Sequence, residues 1–227
     1  MPATKSRRRQ YITAVRLTTF LFDLDGTLID SIDLILRSYR HTMEVHYGSA
    51  PSDDHWMAGL GTPLWVQFRQ FTEDEAQIQA MVATYREYNL AHHDELVQPY
   101  DGVVDRVRAL AAGGARLGLV TSKMRQGALR GLRLVGLEDA FDAVVGSDEV
   151  THPKPHPEPV LRALDLLGAE PATAVFVGDS RHDIECGRAA GVRTAAVLWG
   201  PFDRAQLEDL EPDYWLEHPQ DLARLAG

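Results

Sequence analysis

Two carboxylates stand one residue apart in Leu21-Phe22-Asp23-Leu24-Asp25-Gly26-Thr27-Leu28, at the end of an apolar, β-branched-rich stretch, Val15 to Phe22. Such a stretch reads as a buried strand. Side chains two apart on a strand point the same way, so Asp23 and Asp25 can share one site just past the strand end, where Gly26 lets the chain open. That pairing suits a nucleophile beside its own acid/base. Two carboxylates at one site repel each other unless a cation sits beside them, so the motif asks for a metal ion or a lysine.

The rest of the chain supplies both. In Val175-Phe176-Val177-Gly178-Asp179-Ser180-Arg181-His182-Asp183, Asp179 ends an apolar strand and Asp183 falls where a helix should begin. Hard cations such as Mg2+ prefer oxygen ligands, keep several waters and often take only a few carboxylates. Asp23 and Asp179 are expected to bind such an ion directly, with the Asp25 backbone carbonyl, while Asp183 holds it through water. Alone, Gly178-Asp179-Ser180 is a common turn and helix cap; beside Asp23 and Asp25 the metal reading prevails.

Lys154 lies in Thr151-His152-Pro153-Lys154-Pro155-His156-Pro157-Glu158-Pro159. Alternating prolines remove backbone donors and force extended conformations on the residues before them, so this loop is stiff. It can hold a lysine where it screens the carboxylates and binds phosphate oxygen as a point charge. Thr121 ends Leu117-Gly118-Leu119-Val120-Thr121-Ser122-Lys123. Its hydroxyl and nearby backbone N–H groups can bind a phosphoryl oxygen, although such residues are frequent at any strand-to-helix junction.

The elements that must position these residues alternate. Strands are expected at Arg116–Thr121, Phe141–Gly146, Thr173–Gly178, Arg193–Leu198 and Asp213–Leu216. Helices are expected at Val103–Ala112, Arg125–Val135, Pro157–Leu167, Asp183–Ala190 and Asp203–Leu210. Repeated β-α-β units imply a mainly parallel sheet with helices on both faces, which binds ligands beyond the carboxyl ends of its strands. From Ser31 to about Val97 the pattern is helical. Asp30 or Ser31 can cap a helix carrying Ile32, Ile35, Leu36, Tyr39 and Met43 on one face. Trp56 to Phe71 and Glu73 to Leu90 continue it, broken by Gly59, Gly61 and Pro63. This is an insertion of roughly 65 residues, large enough for its own small core.

Composition narrows the function. At 227 residues the chain can bury one sizeable core or two modest ones, and 44% hydrophobic with 25% charged residues describes an ordinary globular protein. A net charge of −10 argues against nucleic acid as a partner. The basic cluster Lys5 to Arg9 reads as a solvated tail. No apolar run has membrane-spanning length and no signal-peptide core follows those basic residues, so no membrane partner and a cytoplasmic location are expected. The single cysteine, Cys186, forms no internal disulfide and reads as a small core residue.

The set Asp23-Leu24-Asp25-Gly26-Thr27, Thr121, Lys154, and Gly178-Asp179-Ser180 with Asp183 resembles the four motifs of the haloacid-dehalogenase superfamily, from about Phe20 to Leu216. The resemblance implies an α/β fold, a Rossmann-like core with a mainly parallel sheet (residues 1–29 and 98–227) and an inserted α-helical cap (30–97). It implies that Asp23 attacks phosphorus to form an aspartyl-phosphate, and that Asp25 protonates the leaving group and then activates water. Thr121 and Lys154 would orient the phosphoryl group, and Gly26, Thr27, Ser122 and Lys123 would bind substrate. Asp23, Asp25, Asp179 and Asp183 would hold Mg2+, which neutralises the approach of two anions. An acid at position 25 marks a phosphohydrolase or phosphomutase, since dehalogenase and phosphonatase members lack it.

The cap covers the leaving group and should choose the substrate, a small anionic phosphorylated compound. Gly59-Leu60-Gly61-Thr62-Pro63-Leu64 resembles the cap loop of phosphoglycolate phosphatases and their relatives. Tyr85 to Val97 and Asp33 to Thr42 are similar to the cap of bacterial cytosolic pyrophosphatases of this superfamily. Inorganic pyrophosphate is therefore favoured over phosphoglycolate. A phosphomutase would carry a histidine near Ile35, and a non-catalytic phosphate-binding regulator would not need every reactive position. Arg37, Arg40, Arg69 and Arg86 are candidates for an anionic leaving group. His92 and His93 read as a polar helix end, and Trp56, Trp65, Phe68 and Phe71 as cap core.

Overall fold

Thr19-Phe20-Leu21-Phe22 forms a wholly buried strand, β1, at the centre of a computed structural model that describes residues 16–226. The basic cluster Lys5 to Arg9, and Val15 of the expected first strand, lie outside the described residues. β1 pairs in parallel with β4 (Arg116–Val120) on one side and β6 (Ala174–Gly178) on the other. With β5 (Ala143–Val145), β7 (Arg193–Val197) and β8 (Tyr214–Leu216) they make one sheet, all of it parallel, in the order β5-β4-β1-β6-β7-β8.

Alternation along β1 builds the two layers. Phe20 and Phe22 face one apolar cluster with Val103, Val107 and Leu132, from α5 (Val103–Ala112) and α6 (Arg125–Leu134). Leu21 faces the opposite cluster with Val160, Ala163 and Leu164 of α7 (Glu158–Leu167) and Cys186 of α8 (Arg181–Ala189). A strand buried on both faces has no polar alternation, which is why these segments read as continuous apolar runs. The Asp203–Leu210 segment is one turn of α-helix, α9 (Arg204–Leu207), continued by a 3-10 turn.

The helical segment after β1 is α1 (Ile32–Tyr47), α2 (Asp53–Met57), α3 (Leu64–Phe68) and α4 (Glu75–Leu96). It packs a cluster of its own around Tyr39, Trp56, Phe68, Ile78, Met81 and Tyr85, with Tyr39 stacked on Trp56 at 4.3 Å between ring centroids. Gly61 at φ 87° and the neighbouring Pro63 keep α2 and α3 apart as single turns. The chain leaves and returns through a short antiparallel pair, β2 (Ile29–Asp30) and β3 (Gln98–Pro99). No strand was expected at either place: two residues show no periodicity, and Pro99 argues against one. Among the described residues no helix is long and apolar enough to cross a membrane.

Candidate active site

Asp23, Thr121 and Asp179 each stand one residue beyond a strand, and those strands, β1, β4 and β6, are neighbours. The chain therefore delivers all three side chains to the same edge of the sheet. The Asp23 N–H donates to the Val177 carbonyl at 2.9 Å, and the Thr121 N–H to the Val145 carbonyl at 3.0 Å, so each residue is pinned by its neighbouring strand.

Lys154 enters from the proline-rich loop and is buried. Glu158 braces that loop, accepting the N–H groups of Thr151 at 2.7 Å and His152 at 2.9 Å. The Lys154 Nζ donates to Asp183 Oδ1 at 2.7 Å and lies 3.0 Å from Asp23 Oδ1. The second approach is an ion pair without hydrogen-bond alignment, so among the described residues the buried Asp23 Oδ1 has no aligned donor. Burial works against the lysine's charge, but Asp183 and Asp23 outweigh it and hold the ammonium charged. The other oxygen of Asp183 accepts the Ser180 N–H at 3.0 Å and the Ser180 hydroxyl at 2.6 Å. The capping reading and the site reading of this segment thus describe one structure.

Ligand oxygens of Asp23, Asp179 and Asp183 lie within 4.8 Å of one another. Burial, chiefly, pushes the Asp23 carboxyl up to about 7 despite Lys154, with the Asp183 and Asp25 charges adding to the rise. Burial, then Asp183 and Asp23, raise Asp179 well above the ordinary range. Three carboxyl groups face one ammonium, and every donor is a hard oxygen. A divalent hard cation fits this donor set. Asp183 has both oxygens engaged, so Asp23 and Asp179 are the better placed for direct contact.

The Asp25 side chain turns elsewhere. Its Oδ1 accepts the Ser31 hydroxyl at 2.6 Å and the Lys123 ammonium at 2.7 Å. Burial raises its pKa, but Lys123 and these hydrogen bonds outweigh that and hold it below the usual carboxylate range. Ser31, expected as a helix cap, stands at the N-cap of α1 without a capping bond. Its hydroxyl serves Asp25 instead, and nothing in the sequence separates those two uses.

The expected substrate ligands divide. Thr27 is fully buried and donates its hydroxyl to Asp179 Oδ1 at 2.8 Å, so it positions a carboxylate and has no surface for substrate. Gly26, at φ 84°, lies so close to Asp179 that a Cβ there would fall 2.6 Å from its Oδ2. Ser122 and Lys123 do line the cavity over the site.

That cavity, of about 920 Å3, lies between the helical segment and the sheet edge, with Asp23, Asp25, Thr121 and Asp179 on one side and Ile35, Tyr39, Val82, Tyr85 and Asn89 on the other. The Ser122 hydroxyl donates to the Gly61 carbonyl at 2.7 Å, and Arg130 of α6 donates to the Leu90 carbonyl at 2.9 Å, tying the two sides together. Trp65 does not pack in the cap core as expected. It is 46% exposed and lines this cavity, with the Arg69 guanidinium 5.3 Å from its ring centroid. His93 is buried beside Asp94, and among the described residues no group of metal ligands forms at His92 and His93.

A family model described as "Haloacid dehalogenase-like hydrolase" matches residues 20–197. A protein named "Pyrophosphatase PpaX" from Bacillus cereus (strain G9842) is 44% identical over 208 residues, 92% of this chain and 95% of that one. Its namesake from Halalkalibacterium halodurans is 41% identical over 213 residues, 94% of this chain and 98% of that one. Among solved structures, a haloacid dehalogenase-like family hydrolase from Streptococcus pneumoniae superposes with a TM-score of 0.80 at 26% identity, covering 92% of this chain and 97% of that one.

Proposed function

The chain belongs to the haloacid dehalogenase-like hydrolase family, and from that premise we propose that it hydrolyses inorganic pyrophosphate to two phosphates through an aspartyl-phosphate at Asp23. The observation that carries the choice of substrate is the 41–44% identity, over nearly the whole chain, to proteins named pyrophosphatase. The geometry of Asp25 is in keeping with it. Held as a carboxylate by Lys123 and Ser31, Asp25 is poised to take a proton rather than give one. A departing phosphate is stable as an anion and needs little protonation, whereas a departing alkoxide needs an acid.

In this reading an Asp23 carboxylate oxygen attacks one phosphorus, forming the O–P bond as the bridging oxygen leaves with the other phosphate. Lys154 balances the charge at Asp23, and the Thr121 hydroxyl and following backbone N–H groups receive the phosphoryl oxygens. Asp25 then removes a proton from water, which attacks the same phosphorus and returns Asp23 to its free form. Mg2+, bound by Asp23 and Asp179 with the Asp25 carbonyl, and by Asp183 through water, would supply charge neutralisation between the anionic nucleophile and the anionic substrate. Thr27 holds Asp179 for that task. The helical segment of residues 30–97 acts as the cap over the leaving group.

The test is phosphate release from pyrophosphate, 2-phosphoglycolate, hexose phosphates and an aryl phosphate, with Mg2+ and with chelator. A kcat/KM preference for pyrophosphate that vanishes with chelator is expected. Preference for 2-phosphoglycolate would overturn the substrate and leave the chemistry standing.

A further inference from the structure

We propose that Arg86 receives the leaving phosphate and so makes the cap selective for a substrate with two phosphates, an assignment that rests on the pyrophosphatase reading. Pyrophosphate splits into two anions at one site. The transferred group meets Lys154 and Thr121, but the departing one must stand in the cavity below the cap, and a buried anion needs its own cation.

The cap has four arginines and no lysine. Arg37 is paired with Asp33 at 2.8 Å, Arg40 with Asp53 at 3.1 Å, and Arg69 with Glu75, and none of these three lines the cavity. Arg86 lines it, and among the described residues it has no ion pair and no side-chain hydrogen bond. The cations on the opposite wall are already balanced: Lys123 by Asp25, Arg130 by Asp94, and Arg133 by Glu138. Arg86 is thus the one lining cation, among the described residues, whose charge is uncommitted.

Its place on α4 explains why it lines the cavity although it is exposed. Val82, Arg86, Leu90 and Asp94 follow at spacings of four, share one face of the helix, and all line the cavity. The guanidinium presents a planar fork that matches two phosphate oxygens; it stands beside buried Val82 but is itself exposed, as is Leu90, so it meets the cavity with its charge still in contact with solvent. A substrate whose leaving group is uncharged gains nothing from it.

The experiment compares wild type, Arg86→Ala and Arg86→Lys on pyrophosphate and on phenyl phosphate, whose leaving group is neutral once protonated. For Arg86→Ala, kcat/KM on pyrophosphate should fall about 10- to 100-fold, as for loss of a charge-assisted contact, while phenyl phosphate stays within about twofold. Arg86→Lys should recover part of the loss. Unchanged pyrophosphate hydrolysis, or an equal fall on both substrates, would overturn the assignment while leaving the pyrophosphatase reading intact. A wild type that does not turn over pyrophosphate would overturn that reading, and the role of Arg86 with it.

Discussion

Lys123 Nζ and Asp25 Oδ1 stand 2.7 Å apart, so the segment beyond β4 fixes the charge state of a carboxylate delivered by the segment beyond β1. If Asp25 is the base that activates water, its partners set how well it is held. Lys123→Ala should lower kcat by about 10- to 100-fold, less than the roughly 10²- to 10⁴-fold that a general base itself contributes. Ser31→Ala, which removes a hydrogen bond and no charge, should cost less. Steady-state kinetics on pyrophosphate, with melting curves to confirm folding, check both.

Burying Asp179 costs stability at neutral pH when no cation is bound. A carboxyl whose folded pKa is raised contributes its stabilisation below the ordinary pKa and loses it as pH rises, so near neutral pH this position costs the fold stability. Asp179→Asn should raise Tm in chelator, on the order of 2–4 °C, and abolish both turnover and the rise in Tm that Mg2+ gives the wild type. Scanning calorimetry with and without Mg2+ measures this.

Thr27 acts one step behind the carboxylates. Thr27→Val keeps the shape but removes the donor at 2.8 Å from Asp179 Oδ1. The Mg2+ concentration for half-maximal activity should rise about tenfold, the usual cost of losing a partner behind a metal ligand. A Mg2+ titration of activity with saturating substrate reads it directly.

Away from the site, Asp213 joins β7 to the start of β8 by accepting the Thr194 N–H at 2.9 Å and Arg193 Nη1 at 2.6 Å. Burial raises its pKa, but those two partners outweigh it and leave the group below its ordinary value. A depressed carboxyl stabilises above its unfolded pKa and loses that contribution as pH falls through the folded one. Asp213→Ala should therefore cost about 1–2 kcal/mol near neutral pH, and the gap from wild type should close below the ordinary carboxylate range of about 4. Urea unfolding across that range is the measurement.

Most of what positions the site was legible because each element carried a local signal. Asp23, Thr121 and Asp179 close apolar runs buried on both faces, and Lys154 sits among prolines that stiffen its loop. The residues that escaped are those whose use depends on contacts across the chain. Ser31 looks like any helix cap, yet its hydroxyl turns to Asp25. Thr27 is part of the motif, but only the approach of Asp179, 152 residues away in sequence, shows that it holds a carboxylate. β2 and β3 are too short to leave a pattern. Four cap arginines were equal candidates until ion pairing separated Arg86 from the rest.

An aspartyl-phosphate at Asp23 can be trapped chemically. In an Asp25→Asn variant, where activation of water is impaired, the protein would be mixed with pyrophosphate and Mg2+, quenched in acid, and reduced with borohydride, which converts an aspartyl-phosphate to homoserine. Peptide mass spectrometry should find homoserine at position 23 and at no other carboxylate. An unmodified position 23 under conditions where the wild type turns over, or homoserine at another aspartate, would contradict the account.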